Sequence, residues 1–355
     1  MKIIVGISNV KDKQLIEEYV KAGADEFFIG YVPPVWYEKY GWEVSCNRRQ
    51  TPGAQYQNRE DVKNVVEWIH EKGKKAFLTL NEHEYTAEQL NDVLKLLESI
   101  IDVPFDAYIV ANLAVVQFLR KNGIDTTLNV SIGLGCNNFS AIEFIYDNFE
   151  NIGRVVLPRK LRIEEIETIA NQASKRNIPL EAFGISSPCT FNDDYCFTWH
   201  SGKTPNLCRS SYYSNKKFSP IVLNEKWKKE LGSLTGNDII MRQFKIEERN
   251  EKIRNQNIQL LEKRKEKEKD AARAYLLNKA METCGMCAMT KFKEFGIDAV
   301  KIAFRGLGFS GLEMLQMVKK VIDNPKADVD FCKSLINSAD FCNGRNCYYN
   351  FPYTE

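Results

Sequence analysis

The strongest constraint on the fold is a repeated alternation between short apolar runs and segments whose apolar residues recur at helical spacing. It starts with Ile3-Ile4-Val5-Gly6-Ile7, a helix predicted over 12–22 from Leu15, Ile16, Tyr19 and Val20, and the run Glu26-Phe27-Phe28-Ile29-Gly30. Short connections between such units favour parallel strands. The pattern continues with a helix over 59–72 and a strand over 76–80. Helices over 87–101, 113–121, 140–148 and 163–175 then interleave with strands over 107–110, 127–130, 154–157 and 180–185. An eighth strand comes late, at 299–304, followed by a helix over 311–322. Eight such repeats predict an α/β fold, a (β/α)₈ TIM-like barrel, with a doubly wound open sheet as the alternative.

In a barrel, the residues directly after the strands line the catalytic mouth. That rule puts Asn81 and His83, Asn112, Ser131, Pro158, Arg159 and Lys160, Cys189 and Arg305 on one rim. The chain divides into barrel strands with a cysteine loop (1–213), a long, largely helical insertion between strands seven and eight (214–283), the last strand and helix (284–325), and a Cys-rich C-terminal tail (326–355). Within the insertion, 247–273 is almost continuous Lys, Arg, Glu, Asn and Gln and reads as a long exposed helix. Such an arm is a solvated surface, a homodimer or protein-partner contact, or an RNA-binding element.

At 355 residues and 44% hydrophobic, the chain can fill a sizeable core. A net charge of +2 argues against a basic nucleic-acid footprint over the whole surface but leaves room for a local one. No run of eighteen apolar residues is present, so no membrane span is expected. Met1-Lys2-Ile3-Ile4-Val5 enters strand-like sequence without a signal-peptide core, which sets the expectation of a cytoplasmic, reducing location. Stable disulfides are disfavoured there.

That matters because the chain has ten cysteines. Cys189, Cys196 and Cys208 lie in one polar loop, Cys284-Gly285-Met286-Cys287 forms a CxxC pair, Cys332, Cys342 and Cys347 fall near the C-terminus, and Cys46 and Cys136 stand apart. Clustered thiols in a reduced protein read as metal or iron–sulfur ligands, with redox chemistry close behind. A zinc site that only staples the loop has the same signature. Cys287 is a spare ligand, a resolving thiol or a packing residue, and Cys332, Cys342 and Cys347 are a possible second site shared with it.

The residues also carry a resemblance. Ala22-Gly23-Ala24-Asp25 with Ile29-Gly30, Gly73-Lys74-Lys75, Phe105-Asp106-Ala107-Tyr108-Ile109-Val110 and Arg154-Val155-Val156-Leu157-Pro158-Arg159 resemble the peptidase U32 family, also called collagenase-like peptidases. Cysteines at Cys189 and Cys196, Cys208 within Cys208-Arg209-Ser210-Ser211-Tyr212, and Cys284 twelve residues before Gly296-Ile297-Asp298 match the family's cysteine set. The resemblance implies a 4Fe-4S cluster on Cys189, Cys196, Cys208 and Cys284. It also implies oxygen-independent hydroxylation of RNA bases or of an aromatic quinone precursor, with prephenate as an oxygen donor in some members. Cys46-Asn47-Arg48-Arg49 resembles the quinone-hydroxylation branch, which makes Cys46 a rival ligand. The family's Glu-Gly-Arg after the last strand is Ala303-Phe304-Arg305 here, so only the arginine carries over.

Beside the cysteines, Arg159, Lys160, Arg209 and Arg305, with Arg48 and Arg49, form a candidate anion pocket for a carboxylate or phosphate. His83 and His200 are candidate proton-transfer groups, and His70, mid-helix beside Trp68 and Ile69, reads as structural. No Gly-x-Ser-x-Gly elbow or His-Glu-x-x-His helix supports proteolysis. RNA is favoured over an aromatic small molecule because the charged arm and the Trp/Tyr loop at 31–42 offer backbone contact and base stacking. A non-catalytic metal-bearing scaffold or electron-transfer subunit is the opposing reading.

Overall fold

The computed structural model describes residues 1–41, 44–49, 54–186, 189, 192–196, 283–303, 308–336 and 347–349. The arm at 247–273 lies outside them. Nine strands are described: β1 (Lys2–Ile7), β2 (Glu26–Ile29), β3 (Lys75–Leu80), β4 (Ala107–Val110), β5 (Leu128–Val130), β6 (Ile152–Val156), β7 (Leu180–Ser186), β8 (Thr283–Cys284) and β9 (Ala299–Ala303). All except β8 run parallel, and the ring closes because β9 pairs with both β1 and β7 while β7 also pairs with β6. The fold is therefore the closed (β/α)₈ barrel, not the open sheet. β8 lies antiparallel against the C-terminal end of β7, with Ile185 opposite Cys284.

The covering helices are α1 (Lys13–Lys21), α2 (Pro34–Tyr40), α3 (Arg59–Glu71), α4 (Ala87–Ser99), α5 (Leu113–Lys121), α6 (Phe139–Asn148), α7 (Ile163–Ser174), α8 (Met289–Glu294), α9 (Gly308–Asp323) and α10 (Val329–Ile336). Local chemistry sets where several of them begin. Asp12, Asn58, Thr86, Asn112 and Asn138 each accept a first-turn N–H on the side chain, and Thr86 with Gln89 completes a capping box. α3 shows how a helix covers the sheet: Val62, Val65, Val66 and Ile69 recur on one face and are buried.

Two helices depart from the sequence reading. Pro33-Pro34 reads as loop punctuation, yet Pro34 sits in the first turn of α2, where its missing N–H costs no helical hydrogen bond. In the tail, α10 packs Cys332 and Ile336 into the core.

Inside the barrel, alternate residues of each strand point to the axis. Ile4, Phe28, Phe77, Ala107, Ile109 and Ala299 form a separate apolar cluster there. Four further interior positions carry charge. Arg154 on β6 reaches Glu26 on β2 with both terminal nitrogens, one at 3.0 Å, and Glu181 on β7 at 3.4 Å. Lys301 on β9 closes the chain of charges, 3.0 Å from Glu181 and 4.4 Å above the Phe28 ring. Burial alone would lower the Arg154 pKa, but the two carboxylates outweigh it and hold the guanidinium charged.

This network occupies the N-terminal half of the barrel, the end associated with stability. Removing one partner leaves an uncompensated buried charge. Arg154→Leu should therefore lower unfolding free energy by about 3–5 kcal/mol in urea titration. The double variant with Glu26→Leu should recover part of that loss; strictly additive losses would show that the charges are not coupled.

Candidate functional site at the barrel mouth

At the opposite end, the segment 44–49 folds over the end of β3. The Cys46 carbonyl accepts from the Tyr85 hydroxyl at 2.6 Å and from the Glu82 N–H at 3.4 Å, while the Arg48 N–H donates to the Glu82 carboxylate at 3.2 Å. Asn47 and Gln55 are buried and pair side chain to side chain, and Gln55 Nε2 also donates to the Arg49 carbonyl at 2.6 Å. These bonds hold Arg48 at φ +57°, a left-handed conformation uncommon for a residue with a side chain.

Two arginines then meet one aspartate. Arg159, following β6, pairs with Asp193 through Nε at 3.0 Å and through Nη2, and its guanidinium stacks 4.9 Å from the Phe183 ring centroid. Arg48 Nη1 donates to the Asp193 carbonyl at 3.1 Å. Asp193 lies in the spacer between Cys189 and Cys196, so these contacts tie the cysteine loop to the barrel. Burial opposes the charge on Arg159, but Asp193 more than offsets it, and the pKa is raised. Cys189 is near enough to Arg159 to interact with its charge.

Asp194 occupies a niche made by glycine. Asn137 Nδ2 donates to it at 2.9 Å, and a Cβ at Gly135, whose φ is +79°, would stand 2.8 Å from its carboxylate oxygen. A Cβ at Gly133 would meet the His83 ring at 2.6 Å, so this glycine lets the imidazole pack against the Ile132–Leu134 turn. Burial first, and then the nearby Arg48 charge, push the His83 pKa down to about 4. The imidazole is therefore neutral near pH 7.

Several buried polar atoms here have no hydrogen-bond partner among the described residues: Ser8 Oγ after β1, and Asn81 Oδ1 and His83 Nε2 after β3. Orphaned polar atoms gathered where a barrel keeps its active site mark a place built for a ligand or for ordered water.

The rim residues read from the sequence have unequal roles. Asn112 caps α5 and Ser131 caps the Ile132–Leu134 turn, which explains both structurally. His70 binds Asp106 at 2.9 Å and supports α3 against the sheet. Lys160 is exposed beside Arg159. His200, Cys208, Arg209, Arg305 and Cys342 lie outside the described residues. Glu82, Asp193 and Asp194 were not singled out, although two adjacent aspartates inside a Cys-x6-Cys spacer are a visible signal.

The cysteines divide into neighbourhoods. Cys284 on β8 and Cys189 both stand at the C-terminal end of β7, and the tail brings Cys347 into register with Cys284, with the Tyr348 N–H on the Cys284 carbonyl at 3.0 Å. Tyr349 anchors that tail by bonding Phe183 N and O at 3.0 and 2.9 Å. Cys287 and Cys332 are hydrogen-bonded to each other; this contact, with Lys333 nearby, lowers the Cys287 pKa and raises that of Cys332. Cys46 is fully buried, its Sγ 3.8 Å from the Tyr31 carbonyl, and Cys136 is buried with its thiol pushed up to about 12. Among the described residues, no three Cys, His, Asp or Glu side chains converge to hold a single metal ion.

A stability prediction follows from His83. Its pKa drops from an ordinary 6.5 to about 4 on folding, so the unfolded chain takes up a proton first as pH falls. The stabilising contribution is complete above 6.5 and is lost as pH falls toward 4. Wild type should lose more of its urea midpoint over that window than His83→Gln; equal losses would show that the burial of His83 has no energetic weight. Glu82, with its pKa raised by burial, acts in the opposite sense in both proteins and leaves the comparison intact.

The chain is similar to several known proteins. Over 165 residues the chain is 26% identical to tRNA hydroxylation protein P of Haemophilus influenzae, covering 44% of this chain and 34% of that protein. It is 24% identical over 165 residues to tRNA hydroxylation protein P of Escherichia coli, covering 44% and 35%. The match thus spans about a third of the length of these relatives. Among solved structures, the U32 peptidase Mk0906 superposes with a TM-score of 0.37 at 16% identity, over 52% of this chain and 69% of that one. Tryptophan synthase subunit alpha from Legionella pneumophila gives a TM-score of 0.33 at 18% identity, over 53% and 74%. Residues 11–351 match the sequence profile of Peptidase family U32, and the chain belongs to that family.

Proposed function

We propose that this U32 protein takes part in oxygen-independent hydroxylation of tRNA bases at the barrel mouth, with a 4Fe-4S cluster on Cys189, Cys196, Cys208 and Cys284. The observation that carries the reading is a juxtaposition. Cys189 and Cys284 flank the end of β7, on the same rim as a cationic wall and the unpartnered atoms of Ser8, Asn81 and His83. The relatives named for tRNA hydroxylation favour RNA over an aromatic small molecule.

The donor set fits the cluster. Thiolates are its usual ligands, and Cys189, Cys196 and Cys284 are half-buried or buried near the rim. A four-iron cluster takes one thiolate per iron, so its ligands stand further apart than those of a single ion, and Cys208 lies outside the described residues. Bound there, such a cluster supplies one-electron transfer.

The chain's own side chains do the rest. Arg159 and Arg48, fixed on Asp193, present positive charge toward the mouth and suit a carboxylated oxygen donor such as prephenate. Neutral His83 can accept a proton at Nε2, which has no hydrogen-bond partner among the described residues. Phe183 packs under the Arg159 guanidinium and helps to fix its plane.

Nucleoside analysis of tRNA from a deletion strain tests the reading. One hydroxylated nucleoside should vanish, return with the wild-type gene, and stay absent with Cys189→Ala or Cys284→Ala. Unchanged nucleosides would contradict the proposal and favour an electron-transfer or scaffold role.

A further inference from the structure

Among the described residues of the cationic rim, Arg49 differs from the two arginines beside it. Arg159 and Arg48 both close on Asp193, one on its carboxylate and one on its carbonyl. Arg49 is different. Its carbonyl is held by Gln55, but its guanidinium makes no hydrogen bond or ion pair with any described residue, although it is half-buried and close enough to Arg48 and Arg159 for their charges to repel it. Burial first, then those two neighbours, push its pKa down to about 10, so the cation is uncompensated yet still charged at pH 7.

The backbone shows that this placement is imposed. Arg48 is held in the left-handed region by the Arg48–Glu82 and Gln55–Arg49 hydrogen bonds and by the buried Asn47–Gln55 pair. Among the described residues, this over-determined backbone sets the Arg49 cation beside two fixed ones with no carboxylate paired to it. In the same mouth the Ser8 hydroxyl, which can donate to an anion, has no hydrogen-bond partner among the described residues.

We infer that the Arg49 guanidinium is the direct contact for an oxyanion, a carboxylate or a phosphate, bound in the barrel mouth between walls formed by Arg48 and Arg159. Asp193 acts here as a positioning residue: it keeps those two arginines from collapsing onto the incoming anion. The inference builds on the proposed role of the mouth, but anion binding is read without turnover. A strain with unchanged nucleosides would remove the hydroxylation reading and leave this one standing.

The test uses the full-length protein and follows its melting temperature in sodium malonate or sodium phosphate against sodium chloride at matched ionic strength. A specific anion stabilises the folded state in proportion to its occupancy. Wild type should gain stability with malonate, phosphate or both, beyond chloride. Arg49→Gln should weaken that response at least about tenfold in half-saturating concentration, because a charge-assisted contact is lost. Its ligand-free melting temperature should be equal to or above wild type, since an uncompensated cation has gone. Arg49→Lys, which keeps the charge but not the two-pronged geometry, should fall between them and serves if the glutamine variant does not fold. A response to malonate alone identifies a carboxylate ligand, and one to phosphate alone a phosphate. A wild-type protein with no anion-specific gain, or an Arg49→Gln variant with the wild-type response, would overturn the inference.

Discussion

Arg154 stands inside the barrel where three other strands deliver charge to it or to its partners. Glu26 comes from β2, Glu181 from β7 and Lys301 from β9, so one buried network spans the ring from side to side. Buried ion pairs add little net stability compared with well-packed apolar residues, but a broken one is costly. The network therefore works as a registration device: a strand slipped by one residue would turn its charge out of the barrel and leave its partner alone. With the N-terminal half fixed in this way, the loops at the other end can carry unpaired polar atoms and a left-handed arginine without loss of the fold.

The mouth repeats the logic at smaller scale. Asp193 gathers Arg159 from the β6 end and Arg48 from the segment after α2, and because Asp193 sits between two cysteines it also fixes where that loop meets the barrel. The C-terminal tail adds a second clamp through Tyr349, which brackets Phe183 and lays Cys347 beside Cys284. The thiols, the cations and the neutral histidine thus reach one rim from distant parts of the sequence.

Much of this was legible in the sequence. Apolar runs at strand length alternating with helix-spaced segments sufficed for the barrel, and Asn81, His83, Arg159 and Cys189 follow the C-terminal ends of β3, β6 and β7. The interior charges were harder to read: Glu26, Arg154, Glu181 and Lys301 look like ordinary strand residues until closure of the ring makes their face the inside. Pro34 misled because proline breaks a helix interior but suits its first turn. Asn112 and Ser131 looked like site residues for the right positional reason, and only the hydrogen bonds show them capping helical turns. The convergence of Cys347 on Cys284 depends on a long return of the chain that no local pattern encodes.

We propose that the cysteines at the end of β7 hold an iron–sulfur cluster beside the cationic mouth. Iron and acid-labile sulfide content of protein purified without oxygen, with its absorption spectrum, tests that claim most directly. The expected result is a brown protein with iron and sulfide in equal amounts and a broad visible absorbance that bleaches on reduction, as for a four-iron cluster on four thiolates. A colourless protein that carries zinc would contradict it, and the barrel mouth would then be a binding site without redox chemistry.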